Sequence, residues 1–262
     1  MPTYRDHAVV LNCISLRDND RQYILFTNAH GKISLLAKGT RKGRSKLSPH
    51  LSLFGIVDVM IARGKKIDRL AGANAVRVFR HMSTSLEAMS LSQSFLLAVD
   101  ALTKRELPDE RIFLLIEHFF LAMNHANIPL MRAQIIFSCA MIKVLDLLGF
   151  GLEFEVCVHC RRPLDAGLLT MNILHGGVEC GECAQRSLAP KISVNAVKAF
   201  RFFRKDALSL VVLLRLPESV LREVLFFTEL MVTMHVDERF VALKYARAMT
   251  GGGHEHTSAV HF

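Results

Sequence analysis

The spacing of hydrophobic and polar residues changes once along the chain, close to residue 82. Before that point, short runs of alternating apolar and polar residues are rich in β-branched and aromatic side chains, which is typical of strands. We predict five strands, in the segments HAVVLNCISL, RQYILFTNA, GKISLLAKG, FGIVDVMIARG and IDRLAGANAVRVF. Gly31 can adopt a positive φ in the turn between the second and third strands. Because closure removes exposed edges, five short strands favour a small closed barrel.

After residue 82 the hydrophobic spacing becomes that of helices, about 3.6 residues. Ser83 to Ser85 with Glu87, and Asp109 with Glu110, are placed to cap helix N-termini, and Gly149 marks a helix end. The predicted helical segments are STSLEAMSLSQSFLLAVDALTKREL, DERIFLLIEHFFLAMNHA, IPLMRAQIIFSCAMIKVLDLLG, SVNAVKAFRFFRK, PESVLREVLFFTELMVTMHV and DERFVALKYARAMT.

These patterns predict an α+β fold in four parts. Residues 1–80 form a five-stranded barrel of the oligonucleotide-binding (OB) type, and residues 81–150 together with 187–250 form a helical domain. Residues 151–186 form an inserted zinc-ribbon element with four cysteines. Residues 251–262, GGGHEHTSAVHF, lack periodicity and are predicted to be a disordered tail.

The composition indicates a globular protein, since 51% of the residues are hydrophobic and the mean hydropathy is +0.27. The two longest apolar segments are interrupted by Glu117 with His118 and by Lys143 with Asp146, so they are typical of buried amphipathic helices. The N-terminus lacks the apolar region of a signal peptide, and we therefore expect a cytoplasmic protein.

The formal net charge of +9 is concentrated in the N-terminal third. Residues 1–80 hold 15 lysines and arginines against 5 acidic residues, whereas the remaining 182 residues hold 18 against 19. This asymmetry indicates that one part of the chain meets a polyanion while the rest has another role.

Two dense clusters of cations carry this charge and are our candidate DNA-binding residues. Like charges this close repel one another unless an anion neutralises them, although a loop whose charges are simply solvated is the alternative. The clusters flank one predicted strand, so both can line one face of the barrel, as in OB folds that follow a phosphate backbone. The first cluster comprises Lys38, Arg41, Lys42, Arg44 and Lys46, and the second comprises Arg63, Lys65, Lys66 and Arg69.

The composition of these loops favours contact with the nucleic-acid backbone rather than with base edges. Glycine and serine separate the cations, and the loops carry no pair of Asn or Gln side chains placed to read adenine. The central aromatic residues of the barrel, Tyr23, Phe26, Phe54 and Phe79, are predicted to face mostly inward. We therefore expect binding that is dominated by charge and tolerant of sequence.

A second basic stripe has helical spacing and allows two interpretations. It either extends the DNA-binding surface or forms a solvated helix face, and the second is the more common role of such a stripe. Its members are Lys198, Arg201, Arg204 and Lys205.

Four cysteines in two pairs predict a structural zinc site. The spacing Cys-x-x-Cys lets both thiolates of a pair reach one ion at about 2.3 Å, and two pairs complete a tetrahedron with no open position. Four unligated thiols, or replacement of one thiolate by His159 or His175, are the alternatives. The two remaining cysteines, Cys13 and Cys139, are predicted to be buried small apolar residues. The predicted metal ligands are Cys157, Cys160, Cys180 and Cys183.

The sequence lacks the patterns of common active sites, so we expect a protein that is not an enzyme. The His-x-Glu and Pro-Cys-x-x-Cys pattern of zinc deaminases is missing, as is the Gly-x-x-x-x-Gly-Lys-[Ser/Thr] frame of nucleotide-binding loops. A nucleic-acid hydrolase or deaminase with an unrecognised active site is a third alternative.

Three segments resemble the RecO family of bacterial recombination mediators. LFTNAHGKISLLAKGTRKGRSKLSPHLSLF is similar to the N-terminal hallmark of the family, LLGFGLEFEVCVHC to the helix end that leads into its first cysteine pair, and CGEC to its second pair. The resemblance covers residues 1 to about 245. One departure is RDNDRQ, where the family usually has a Glu-x-Asp element.

The resemblance implies an OB-fold domain, a helical domain and a zinc-ribbon element in a nucleoid-associated protein. It implies binding to single- and double-stranded DNA, annealing of complementary strands and a complex with RecR. It also implies docking to the C-terminal tail of the single-stranded DNA-binding protein and help in loading RecA. RecF is implied as a further partner. The first basic cluster falls on the basic segment of the family and the four cysteines on its metal site. The competing hypothesis is a zinc-ribbon regulator that reads one nucleic-acid sequence and does not anneal strands.

Overall fold

A computed structural model of the chain describes residues 2–16, 19–40, 47–164 and 166–236. It has a mixed α+β architecture in which strands come first and helices follow. The predicted helix in DERFVALKYARAMT, the predicted tail and residues 41–46 of the first basic cluster lie outside the described residues.

Five N-terminal strands form one closed sheet, and the prediction of these strands is confirmed. Their hydrogen-bonded order is β1-β2-β3-β5-β4, and β4 pairs back with β1, so the sheet closes into a barrel. The β3–β5 pairing is parallel and the other pairings are antiparallel. The strands are β1 (Thr3–Ser15), β2 (Arg21–Thr27), β3 (Gly31–Ala37), β4 (Gly55–Ala62) and β5 (Asp68–Val78).

The helices follow the predicted periodicity and use the predicted caps. The Ser85 hydroxyl accepts a hydrogen bond from the backbone N–H of Ala88 at 3.2 Å, and the Asp109 carboxylate accepts one from the backbone N–H of Arg111 at 3.0 Å. No helix in the described part of the chain is long and apolar enough to cross a membrane. The helices are α1 (Leu86–Leu102), α2 (Glu110–Met123), α3 (Leu130–Leu147), α4 (Val194–Lys205), α5 (Leu208–Val211) and α6 (Glu218–Thr233).

Helix α3 is the centre of the helical part. It contacts α1, α2, α4 and α6, and its buried residues lie on all sides of the helix, including Ile136, Cys139 and Leu145. The same hydrophobic core continues to the outer face of the barrel, where Val9 and Phe26 are fully buried. The outer face of the barrel therefore shares one core with the helices, whereas the barrel interior forms a second cluster that includes Val10 and Leu25.

The turn between β2 and β3 docks on the connection between α1 and α2. Gly31 has a φ of +68°, as its place in the hairpin requires, and its Cα lies against the backbone of Leu107. The Lys32 ammonium lies 3.2 Å from the Asp100 carboxylate and also donates to the Asp100 carbonyl oxygen. The Lys32 carbonyl accepts a hydrogen bond from the Glu106 N–H at 2.9 Å. These polar contacts set the barrel against the helices at one position.

The cysteine-bearing segment between α3 and α4 forms a second, smaller sheet. Its strands are β6 (Leu169–Asn172), β7 (Gly177–Cys180) and β8 (Lys191–Ile192), in the order β7-β6-β8. Leu164, Val178 and Phe154 are buried and belong to the core shared with the helices. The Phe154 ring stacks on the Phe200 ring of α4, with 5.1 Å between centroids. The segment is therefore packed on the helical part.

Candidate metal centre and nucleic-acid surface

The four predicted metal ligands converge, which confirms the four-cysteine cluster. Cys157 and Cys160 bracket a turn, Cys180 ends β7, and Cys183 opens a single helical turn. The four sulfur atoms lie within 4.8 Å of one another, and the Sγ atoms of Cys160 and Cys180 are 3.6 Å apart. Sulfur atoms around a tetrahedral ion at about 2.3 Å are separated by about 3.8 Å. The arrangement is compatible with zinc.

The backbone around Cys157 favours an anionic sulfur. Burial raises the pKa of this thiol, but hydrogen bonds from the N–H groups of Cys160, Cys180 and His159 outweigh it and lower the pKa to about 6. Burial and contacts with the other three cysteines raise the pKa of Cys183 to about 12. Without a cation, the four thiolates cannot all form, because their charges repel. A bound metal ion would remove this conflict and would have a structural role, since the thiolates fill all four positions.

The two histidines near the cysteines form a separate group. His159 Nε2 lies 2.8 Å and His175 Nδ1 3.2 Å from Oε1 of Glu179, whose side chain is only 2% exposed. Burial raises the pKa of Glu179, but hydrogen bonds from His159, Ser187, His175 and Asn172 outweigh it and lower the pKa to about 2. The histidines therefore contact Glu179, and neither takes the place of a thiolate.

The basic stripe on α4 anchors the metal element. Arg201 donates hydrogen bonds to the carbonyl oxygens of Phe154, Glu155 and Leu164 at 2.8, 3.2 and 3.3 Å. Arg204 donates to the carbonyl oxygen of Leu152 at 2.8 Å. The interpretation of the whole stripe as a solvated helix face is thus wrong for Arg201, whose side chain is 16% exposed. The spacing of the cations in the sequence identified the face of the helix. The carbonyl oxygens that Arg201 contacts lie about 40 residues away, so no pattern near Arg201 could predict them.

We expect Arg201→Met to destabilise the chain by about 2–4 kcal/mol. The methionine retains apolar contacts but leaves three carbonyl oxygens without their charged donor. Unfolding in urea, followed by circular dichroism, measures the change. Lys198→Met on the exposed face of the same helix is the matched control and is expected to change stability by less than about 0.5 kcal/mol. Equal effects of the two substitutions would contradict the anchoring role.

The described members of the two basic clusters are all exposed. In the parallel pairing of β3 and β5, Leu36 lies beside Arg69. Lys38 follows two residues after Leu36, and the loop with Lys65 and Lys66 leads directly into β5. The end of β3 that precedes Lys38 therefore lies beside the start of β5, which brings Lys38 close to the second cluster. The exposed members are Lys38, Arg63, Lys65, Lys66 and Arg69.

The barrel also presents an aromatic residue that sequence reasoning missed. Tyr4 is half-buried at the start of β1, and the Arg63 guanidinium lies 5.4 Å from the centroid of its ring. The central aromatic residues are buried, as predicted, since each is at most 4% exposed. Tyr23 lies in the barrel interior, whereas Phe26, Phe54 and Phe79 belong to the core shared with the helices. The side chain of Tyr4 is on the inward-facing side of β1, but Tyr4 lies at the start of the strand. This position at the barrel end is the feature of the sequence that could have indicated partial exposure.

A cavity near the metal element contains paired charges. It has a volume of about 590 Å³ and is lined by residues that include Asp146, Glu155, Arg204 and Lys205. Arg204 lies 2.9 Å from the Asp146 carboxylate, and Lys205 lies 2.9 Å from the Glu155 carboxylate. These side chains neutralise one another, which favours a structural role over acid–base catalysis.

Comparison with known proteins covers nearly the whole chain. The sequence model of the family described as Recombination protein O N terminal matches residues 1–79, and that described as Recombination protein O C terminal matches residues 83–244. A DNA repair protein RecO from Dehalococcoides mccartyi (strain ATCC BAA-2266 / KCTC 15142 / 195) is 26% identical over 246 residues, which are 94% of this chain and 93% of that protein. A DNA repair protein RecO from Clostridium perfringens is 26% identical over 228 residues, or 86% of this chain and 90% of the relative.

Proposed function

Because the chain belongs to the RecO family of DNA repair proteins, we propose that it is a recombination mediator that binds single- and double-stranded DNA without sequence preference and anneals complementary strands. The observation that carries the proposal is a group of exposed cations near the β3–β5 pairing, which are Lys38, Arg63, Lys65, Lys66 and Arg69. In this proposal the N-terminal barrel is an OB-fold domain and its basic clusters follow the DNA backbone.

Charge neutralisation explains how such a surface promotes annealing. Two complementary strands repel each other through their phosphates, and cations that contact both strands reduce this repulsion and release counterions. Base pairing then completes the duplex without a covalent step. The Arg63 guanidinium and the His30 ring both lie against the Tyr4 ring, so in this proposal the phosphate contacts carry the binding. Contacts of this kind tolerate any sequence, as a mediator requires.

The remaining parts of the chain have supporting roles in this proposal. The four-cysteine cluster holds one structural zinc ion that keeps the inserted element folded on α4. The protein acts in the cytoplasm, at the nucleoid, in a complex with RecR and with RecF as a further partner. It docks to the C-terminal tail of the single-stranded DNA-binding protein and helps to load RecA on the strands that this protein coats.

The proposal predicts how the affinity for single-stranded DNA depends on salt. Each lost phosphate contact flattens the slope of log K against log salt by about 0.7, so loss of three contacts changes the slope by about 2. The measurement is fluorescence anisotropy with a labelled strand over a salt series, followed by addition of the complementary strand to measure annealing. One triple variant carries Lys65→Gln, Lys66→Gln and Arg69→Gln, and a second carries Arg41→Ser, Lys42→Ser and Arg44→Ser.

A matched control removes the same charge elsewhere. The triple variant Lys191→Gln, Arg215→Gln and Arg222→Gln changes three exposed cations outside the barrel and is expected to keep the wild-type slope and annealing rate. If both barrel variants also keep them, the basic clusters are solvated loops and the proposal fails. Unrelated strands should bind equally well, whereas a preference above about tenfold, or 1.4 kcal/mol, would favour the sequence-reading regulator.

A further inference from the structure

A second group of metal-ligating side chains lies beside the four cysteines. Glu179 of β7 is almost completely buried, and His159 and His175 approach the same carboxylate oxygen from two different turns. One nitrogen or oxygen atom of each residue lies within 4.8 Å of those of the other two. The other carboxylate oxygen of Glu179 accepts a hydrogen bond from the Thr170 hydroxyl at 3.0 Å, which fixes the orientation of the carboxylate.

Asn172 contacts both His175 and Glu179 and holds them beside each other. The Asn172 side-chain oxygen accepts from the backbone N–H of His175 at 3.2 Å, which fixes the orientation of the amide. Its Nδ2 then donates to Glu179 Oε1 at 2.8 Å and lies 2.9 Å from His175 Nδ1. In the tautomer with the proton on Nε2, His175 Nδ1 accepts this second hydrogen bond through a lone pair. Yet this atom lies only 3.2 Å from Glu179 Oε1, which is also an acceptor.

Two lone pairs that face each other at this distance are stabilised by a cation between them. Ligands at about 2.0–2.1 Å from a tetrahedral ion are about 3.3 Å apart, which is near the observed separations of 2.8 and 3.2 Å from the Glu179 oxygen. Imidazole and carboxylate ligands suit zinc and neighbouring divalent metals. A doubly charged ion would also compensate the buried charge of Glu179.

We propose that His159, His175 and Glu179 form a second binding site for a divalent transition-metal ion, separate from the four-cysteine cluster. Three protein ligands leave one position open for water or an added ligand, in contrast to the closed cysteine site. The side chains of His159 and His175 are 43% and 56% exposed, so an ion can enter from solvent. His159 lies between Cys157 and Cys160, and a second ion therefore links the first cysteine turn to β7.

Zinc stoichiometry at equilibrium tests this site. The full chain is dialysed against micromolar Zn²⁺, and the bound metal is measured by mass spectrometry. All proteins carry His254→Asn, His256→Asn and His261→Asn, so that the C-terminal histidines do not contribute. The proposal predicts two zinc ions per chain, and His159→Gln or His175→Gln is expected to leave one while weakening the second site at least tenfold. His125→Gln, at an exposed histidine after α2, is the matched control and retains two.

Cobalt spectroscopy assigns the two ions to their ligands. When Co²⁺ is added to protein with zinc already in the cysteine site, visible ligand-field bands are expected without the near-ultraviolet thiolate-to-cobalt band. These bands are lost in His175→Gln. Because His175 is exposed, this variant is expected to retain the wild-type circular dichroism and urea midpoint in metal-free buffer. One zinc per chain in the parent protein, or a second zinc that persists in both histidine variants, would overturn the proposal.

Discussion

Cys157→Ser is expected to abolish tight zinc binding at the four-cysteine cluster and to unfold the element around it. Cys157 is the most buried of the four ligands, and its sulfur accepts a hydrogen bond from the Cys180 N–H at 3.4 Å. A serine hydroxyl is a harder ligand with a shorter reach and stays protonated near neutral pH, so it cannot replace the thiolate. Leu164 and Val178 pack on the core of the helical part, but the four ligands hold the two cysteine turns together, so we expect these turns to unfold without the metal.

The free energy that Cys157→Ser is expected to cost exceeds the destabilisation caused by a typical core substitution. Structural zinc sites contribute about 10 kcal/mol or more of binding free energy in small domains, and only part of it is recovered by residual ligands. Zinc that remains after gel filtration, together with limited proteolysis between residues 151 and 186, measures the loss. Cys13→Ser changes a cysteine of β1 outside the cluster and is expected to retain wild-type zinc and protease resistance. Retention of tight zinc by Cys157→Ser would contradict the assignment.

Gly31→Ala is expected to destabilise the junction between the barrel and the helices by about 3–5 kcal/mol. The φ of +68° disfavours any side chain there by about 1–2 kcal/mol. In addition, a Cβ atom at this position would lie 2.3 Å from the carbonyl oxygen of Leu107 and 2.7 Å from the nitrogen of Pro108. Both neighbours are backbone atoms, so the helix connection must move and the adjacent contact between Lys32 and Asp100 is strained.

Gly149→Ala separates the cost of a positive φ from the cost of the overlap with the backbone of Leu107. Gly149 ends α3 with a φ of +84°, but an added Cβ there would meet no atom within 4 Å. This variant is expected to lose only about 1 kcal/mol, the cost of the backbone conformation. Urea unfolding of both variants measures the difference, which is the cost of the overlap with Leu107. If the two free energies of unfolding fall by the same amount, the close approach of the hairpin to the helix connection does not contribute to stability.

Local patterns were sufficient for the five barrel strands, for the long helices and for the cysteine ligands, but they did not predict β6, β7, β8 or α5. The five strands and the starts of α1 and α2 follow from alternation, periodicity and the caps Ser85 and Asp109, because these features act within a few residues. The Cys-x-x-Cys spacing has the same local character, since each pair fits one ion through a short turn. Gly31 was also predictable, because a positive φ in a hairpin favours glycine.

Contacts between distant segments needed the folded chain. The pairing of Leu36 with Arg69 brings Lys38 close to the second basic cluster, and Arg201 anchors carbonyl oxygens about 40 residues away. Likewise, Glu179 contacts His159, which is 20 residues away in the sequence. From the sequence, this histidine was considered only as a possible replacement for one cysteine ligand. Such partners depend on which apolar faces pack together and on the order in which the strands close. That information is spread over the whole core, so no short window of residues contains it.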